Sequence, residues 1–164
     1  MARARRRASG ERVAIALGSN LGDRAAHLAW ALAALRASVY NLRASPAEET
    51  AAVEVSAPQP AYLNAVAVGR TTLGPHALLD ALLALEVTRG RTRQSWHAAR
   101  TLDLDLVLYG DAVIHDARLD VPHPRFLDRP FVLGPLARLA PRWRDPITGR
   151  TLASLARSAT TITR

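Results

Sequence analysis

The chain contains no cysteine. Disulfides, thiolate metal centres and cysteine nucleophiles are therefore excluded, and this composition fits a reducing cytoplasm, the expected location. Lysine is absent too, so all 22 basic residues are arginines. That rules out a P-loop lysine and a Schiff-base lysine. Aromatic residues make up only 5% of the chain, which leaves few rings for stacking nucleic-acid bases. No apolar run approaches the ~18 residues a membrane span needs, and no charged-then-apolar leader pattern stands out.

At 164 residues and 17.7 kDa, with 49% hydrophobic and 22% charged residues, the sequence has the size and composition of one folded domain with its own core. Its formal charge is +8. Arg3, Arg5, Arg6 and Arg7 precede the first apolar run, so residues 1–11 are expected to form a disordered basic tail. Without the tail the body remains modestly basic, as suits a site for polyphosphate.

The most informative segment is RTLDLDLVLYG at 100–110. As a β-strand, its period of two places Leu102, Leu104 and Leu106 on one face and Asp103 and Asp105 on the other. The two carboxylates are then about 6.6 Å apart along the strand, at about 3.3 Å per residue. Such a pair repels itself unless a cation lies between or above it. Mg²⁺ takes oxygen ligands and is commonly held by one or two carboxylates plus substrate phosphates. Arg100 stands just upstream with the planar fork that phosphate recognition uses. The plain alternative is an amphipathic strand with a wet acidic face.

Around this segment the pattern alternates strands and helices. Residues 12–18 alternate Val13, Ile15 and Leu17 against Arg12, Ala14 and Ala16, which predicts a strand. Turn residues follow, Gly18 to Asp23, and then a helix over 23–37. A second strand is expected around 38–44, an irregular stretch to Pro60, and a third strand over 62–71. Gly74-Pro75 opens a second helix, and an Arg-rich loop over 88–99 leads to the Asp strand. Residues 111–121 read as a short hairpin arm, 131–139 as a helix and 151–157 as a last short one. The order predicts an α+β, ferredoxin-like βαββαβ fold, an antiparallel sheet with helices on one face, plus a C-terminal extension.

The segments ALGSNLGD at 16–23, YLNAV at 62–66, LEVTRGRTR at 85–93, RTLDLDLVLYG at 100–110, RLDVPHPR at 118–125 and RPFVLGPL at 129–136 together resemble the 6-hydroxymethyl-7,8-dihydropterin pyrophosphokinases of folate biosynthesis. The resemblance implies one pyrophosphokinase domain over 12–164. Its reaction would be Mg²⁺-dependent transfer of pyrophosphate from ATP to the pterin hydroxymethyl group, with release of AMP. It also implies roles for particular residues. Asp103 and Asp105 match metal-binding aspartates for two Mg²⁺ ions and, with Arg91 and Arg100, would be catalytic. Glu86, Arg93, Arg100, Arg118, His123 and Arg129 would bind ATP, and Thr50, Val53, Tyr62, Asn64 and Phe131 the pterin. Tyr62 and Phe131 would sandwich the ring, and Asn64 would read its edge with one donor and one acceptor. His123, ordinarily titrating near pH 6.5, is expected to act as a hydrogen-bond donor.

Two segments depart from the family pattern. Thr50-Ala51-Ala52-Val53 lacks a proline usual there, and Ser95 to Ala99 replaces an Arg-Trp-Gly-Pro run. A changed loop of this kind predicts altered kinetics rather than an altered reaction. The partners expected are small molecules, with no nucleic acid, no membrane and a monomeric state. The alternatives are a catalytically weak pterin- and nucleotide-binding paralogue and a basic RNA-binding ferredoxin-like module. The second conflicts with two aspartates on the exposed face.

Overall fold

Val13, Ile15 and Leu17 alternate with Ala14, Ala16 and Gly18, and the strand they form has two unequal faces. In the computed structural model, which describes residues 10–52, 58–90 and 99–162, this strand is β1 (Glu11–Ser19). It runs through the middle of a five-stranded sheet. Strand β4 (Tyr62–Thr71) pairs with it antiparallel on one side and β5 (Asp103–Tyr109) on the other. Beyond β4 lie β2 (Tyr40–Ala44) and β3 (Glu48–Thr50), both antiparallel to β4. They follow one another along the same edge, with Pro46, which has no N–H to offer a ladder, between them.

The large residues of β1 face helices α1 (Arg24–Leu35) and α2 (Pro75–Thr88). Val13, Ile15 and Leu17 pack there with Leu28, Leu35, Leu78, Leu82, Leu102, Leu104 and Leu106 in one buried cluster. Asp23 caps α1 by accepting the Ala26 N–H at 3.1 Å, and Pro75 begins α2 where its missing N–H costs no bond. The βαββαβ order and the placement of its two helices on one face agree with the expectation.

The opposite face is shared. One half is covered by the C-terminal extension, α3 (Pro130–Leu139) and α4 (Leu152–Ile162), whose Val132, Leu136, Leu152 and Leu155 cluster with Ala14, Val66, Val68 and Val107. The other half is open and forms the floor of a cleft. A short hairpin, β6 (Ile114–His115) with β7 (Asp120–Val121), leads into it, followed by a cis Val121–Pro122 bond.

Two departures have clear causes. The stretch expected to be irregular up to Pro60 contains β3, a strand formed by pairing with β4. Strand β5 also carries one extra residue: Ala14 pairs with Leu108 but Ile15 with Leu106. Val107 is the bulge, and its carbonyl accepts the His123 backbone N–H at 2.8 Å. The expected tail, up to residue 9, the position of Val53 and the loop carrying Arg91 and Arg93 lie outside the described residues.

Candidate active site

The open half of the sheet becomes a cleft because β1 carries almost nothing there. Gly18 pairs with Asn64 on one side and Asp103 on the other, and Ala16 pairs with Val66 and Asp105. Two small residues thus make a low floor between taller side chains. The cleft has a volume of about 920 Å³, within the range of small-molecule sites.

Of the residues singled out in the sequence, Thr50, Tyr62, Asn64, Arg100, Asp103, Asp105, His123, Arg129 and Phe131 all line this cleft. They arrive on several different elements. Strand β5 delivers the aspartates, β4 delivers Tyr62 and Asn64, and the start of α3 delivers Phe131. Asn64 Nδ2 donates to Thr50 Oγ1 at 2.5 Å, which orients its amide. Arg125 and Asp128, between His123 and Arg129, join the rim.

The aspartates have arginine neighbours. Arg100 donates to Asp103 at 2.8 Å, and Arg129 lies 3.9 Å from Asp105. Burial at the cleft floor, reinforced by the Asp103 charge, pushes Asp105 up to about 7 against the opposing pull of Arg129. A cation between the two carboxylates would relieve the charge that burial and crowding make unfavourable there. The carboxylate oxygens fit a hard divalent ion, and two carboxylates suffice when phosphates and water complete the shell. Among the described residues no third His, Asp or Glu joins them in a metal-binding group.

His123 is pushed below its ordinary value, chiefly by burial and then by the Arg129 charge, a shift that favours the neutral ring. Its Nδ1 accepts the Arg125 backbone N–H at 3.1 Å. The ring proton therefore sits on Nε2, as the donor role requires.

Two residues expected to bind ATP do not line this cleft. Arg118 is exposed on the hairpin arm and pairs with Asp80 of α2. Glu86 is 2% exposed and lies behind β5, where it accepts the Leu104 backbone N–H at 2.7 Å.

Gly18, Ser19 and Asn20, expected to turn the chain, do not form a tight turn, because β1 continues through Ser19. Asn20 is fully buried and ties three segments together. Its Nδ2 donates to Gln59 Oε1 at 3.0 Å and Pro60 O at 3.3 Å, and its Oδ1 accepts the Arg100 N–H at 2.8 Å. Asn20→Ala leaves partly buried partners unpaired, at about 1–3 kcal/mol. A melting temperature lower by roughly 3–10 °C is expected in a thermal melt, and an unchanged one would show these bonds to be idle.

A solved Plasmodium falciparum HPPK-DHPS with pteroate has the same fold over 92% of this chain, with a TM-score of 0.71 at 12% identity, and this chain spans 42% of it. Sequence relatives are much nearer. A 2-amino-4-hydroxy-6-hydroxymethyldihydropteridine pyrophosphokinase from Synechocystis sp. is 43% identical over 143 residues, covering 86% of this chain and 72% of its own. The Pseudomonas aeruginosa protein of that name is 41% identical over 155 residues, covering 88% and 90%. Residues 14–141 match the pattern of 7,8-dihydro-6-hydroxymethylpterin-pyrophosphokinase. The chain belongs to that family.

Proposed function

We propose that this cleft transfers the β,γ-pyrophosphoryl group of ATP to the hydroxymethyl group of 6-hydroxymethyl-7,8-dihydropterin, giving AMP and the pterin diphosphate for folate synthesis. Family membership supports the reaction type. The observation that carries the residue assignment is the meeting, in one cleft, of an arginine-flanked aspartate pair with Tyr62, Asn64 and Phe131.

In this reading Asp103 and Asp105 would hold two Mg²⁺ ions, whose chemistry would be to neutralise charge on the phosphates around the transferred phosphorus. Arg100 and Arg129, which flank the carboxylates, would bind phosphate oxygens, since bidentate guanidinium contacts suit those oxygens. Neutral His123 donates from Nε2 to a further phosphate oxygen. Tyr62 and Phe131 hold the flat ring by stacking, and Asn64, its amide set by Thr50, reads the ring edge. The pterin hydroxyl is thereby held beside the β-phosphorus, and most of the rate gain comes from that positioning. The same reading makes residues 12–164 one monomeric cytoplasmic domain acting on small molecules.

The test is incubation with ATP, Mg²⁺ and the hydroxymethyl dihydropterin, with nucleotides separated by chromatography. AMP should accumulate in equal measure with the pterin diphosphate, and chelation of the metal should stop it. ADP as the only product would refute the reaction. Tight pterin binding with no AMP would identify a ligand-binding paralogue instead.

A further inference from the structure

Helix α2 turns a buried stripe toward the sheet, Leu78, Leu82 and then Glu86. At four-residue spacing the third position should be another leucine. A carboxylate that is only 2% exposed is costly there unless it is bonded. One of its partners is the strand backbone. Glu86 Oε1 accepts the backbone N–H of Leu104 at 2.7 Å. Strand β5 is the edge of the sheet, with β1 on one side only, so alternate N–H groups point outward with no strand to receive them. Leu104 is the residue between Asp103 and Asp105. One turn further along, the Arg89 carbonyl accepts from Thr101 Oγ1 at 2.8 Å, a second bond from the end of this helix to the approach of the same strand.

We propose that Glu86 is a positioning residue for phosphate transfer: by holding the Leu104 N–H it fixes the edge-strand backbone that carries Asp103 and Asp105, and so the mutual placement of their carboxylates. It acts from behind the sheet and touches neither substrate. The inference rests on the reading of that aspartate pair as the cation site.

Glu86→Leu removes the acceptor and restores an apolar stripe, while Glu86→Gln keeps an acceptor oxygen without the charge. Both are compared with the unaltered enzyme by AMP formation at varied ATP and fixed Mg²⁺, with circular dichroism as a check on folding. Glu86→Leu should lower kcat about 10- to 100-fold, the scale of a roughly 1 Å misplacement at a reacting centre, with the ATP KM changed by less than about threefold. Glu86→Gln should stay within about fivefold of the unaltered kcat. A raised ATP KM with kcat intact would overturn the proposal in favour of direct nucleotide contact. Unchanged kinetics in Glu86→Leu would overturn it as well. Should that variant not fold, Glu86→Gln decides: a loss beyond about tenfold means the charge, not the backbone bond, is what matters. An Asp103→Ala control that kept full activity would instead sink the cation-site reading, and the two failures are thereby told apart.

Discussion

Asp105→Asn should lower AMP formation by about 10³-fold or more while making the metal-free protein more stable at alkaline pH. The loss of activity follows from the carboxylate's place on the cleft floor. With Asp105 neutralised, only Asp103 remains to hold cations against the phosphates, and removing one preorganised charge from a transfer site commonly costs two to three orders of magnitude or more. The gain in stability follows from the same geometry. Asp105 is raised from 3.8 to about 7, by burial first and by Asp103 second. The folded protein therefore keeps a proton that the unfolded chain has released, throughout the interval between those values. Stability contributed by this group is lost as pH rises across that interval, and above about 7 the folded state carries a full, unfavourable charge. The asparagine carries none. Since the Asp105 side chain is 35% exposed, solvent screening reduces the effect, and about 1–2 kcal/mol at pH 8 is expected. Urea melts with chelator at pH 5 and pH 8 measure it: the variant's advantage should appear at pH 8 and shrink at pH 5. Added Mg²⁺ should stabilise the unaltered protein at pH 8 and leave Asp105→Asn nearly unmoved. A variant that retained its activity would remove Asp105 from the cation site altogether.

That the aspartates, the β4 residues and His123 stand out in the amino-acid sequence alone has a physical basis. Strand alternation is a local property, so Asp103 and Asp105 share a face whatever surrounds them. Strand β4 spans the residues expected, Tyr62–Thr71, because its apolar run is bounded by turn residues on both sides. What local pattern does not carry is pairing. Strand β3 is three partly exposed residues, Glu48 to Thr50, and becomes a strand only because β4 offers it hydrogen-bond partners. The bulge at Val107 is invisible in a continuous apolar run, yet its carbonyl fixes the loop bearing His123. Asn20 carries no local signal of its role because its partners lie 39 to 80 residues away along the chain. Glu86 is legible as an anomaly in a leucine stripe. Its role is not, since nothing in the sequence tells a carboxylate facing a nucleotide from one facing a strand edge. Arg118 lies on an exposed arm, where it pairs with Asp80 outside the lining of the cleft, a placement that the motif alone does not carry.

Gly18→Val should raise the pterin KM by about 100-fold or more while leaving the fold and the affinity for ATP close to unaltered. Gly18 lies in β1 with no left-handed backbone angle, so a β-branched residue suits its conformation. The constraint lies in front of it. A Cβ at this position would sit 2.9 Å from Asn64 Oδ1 and 3.4 Å from Tyr62 Cδ1. The first distance is too short, so the Asn64 amide must turn away. That amide is oriented by its bond to Thr50, and in the proposed reading it is what recognises the pterin edge. Turning it loses the recognition bonds, and the two γ-methyl groups of valine also rise from the cleft floor into the space the ring would occupy. Losing both polar fit and shape is worth about 3 kcal/mol or more, which corresponds to the fold-change expected. Gly18→Ala, with only the short Cβ contact, should give a smaller loss of about tenfold. Kinetics at saturating ATP with varied pterin would measure both, beside calorimetric titration with an ATP analogue to show that the nucleotide half is intact. An unaltered pterin KM in Gly18→Val would place the pterin away from the Tyr62–Asn64 side of the cleft. A parallel loss of ATP binding would mean that β1 itself had shifted.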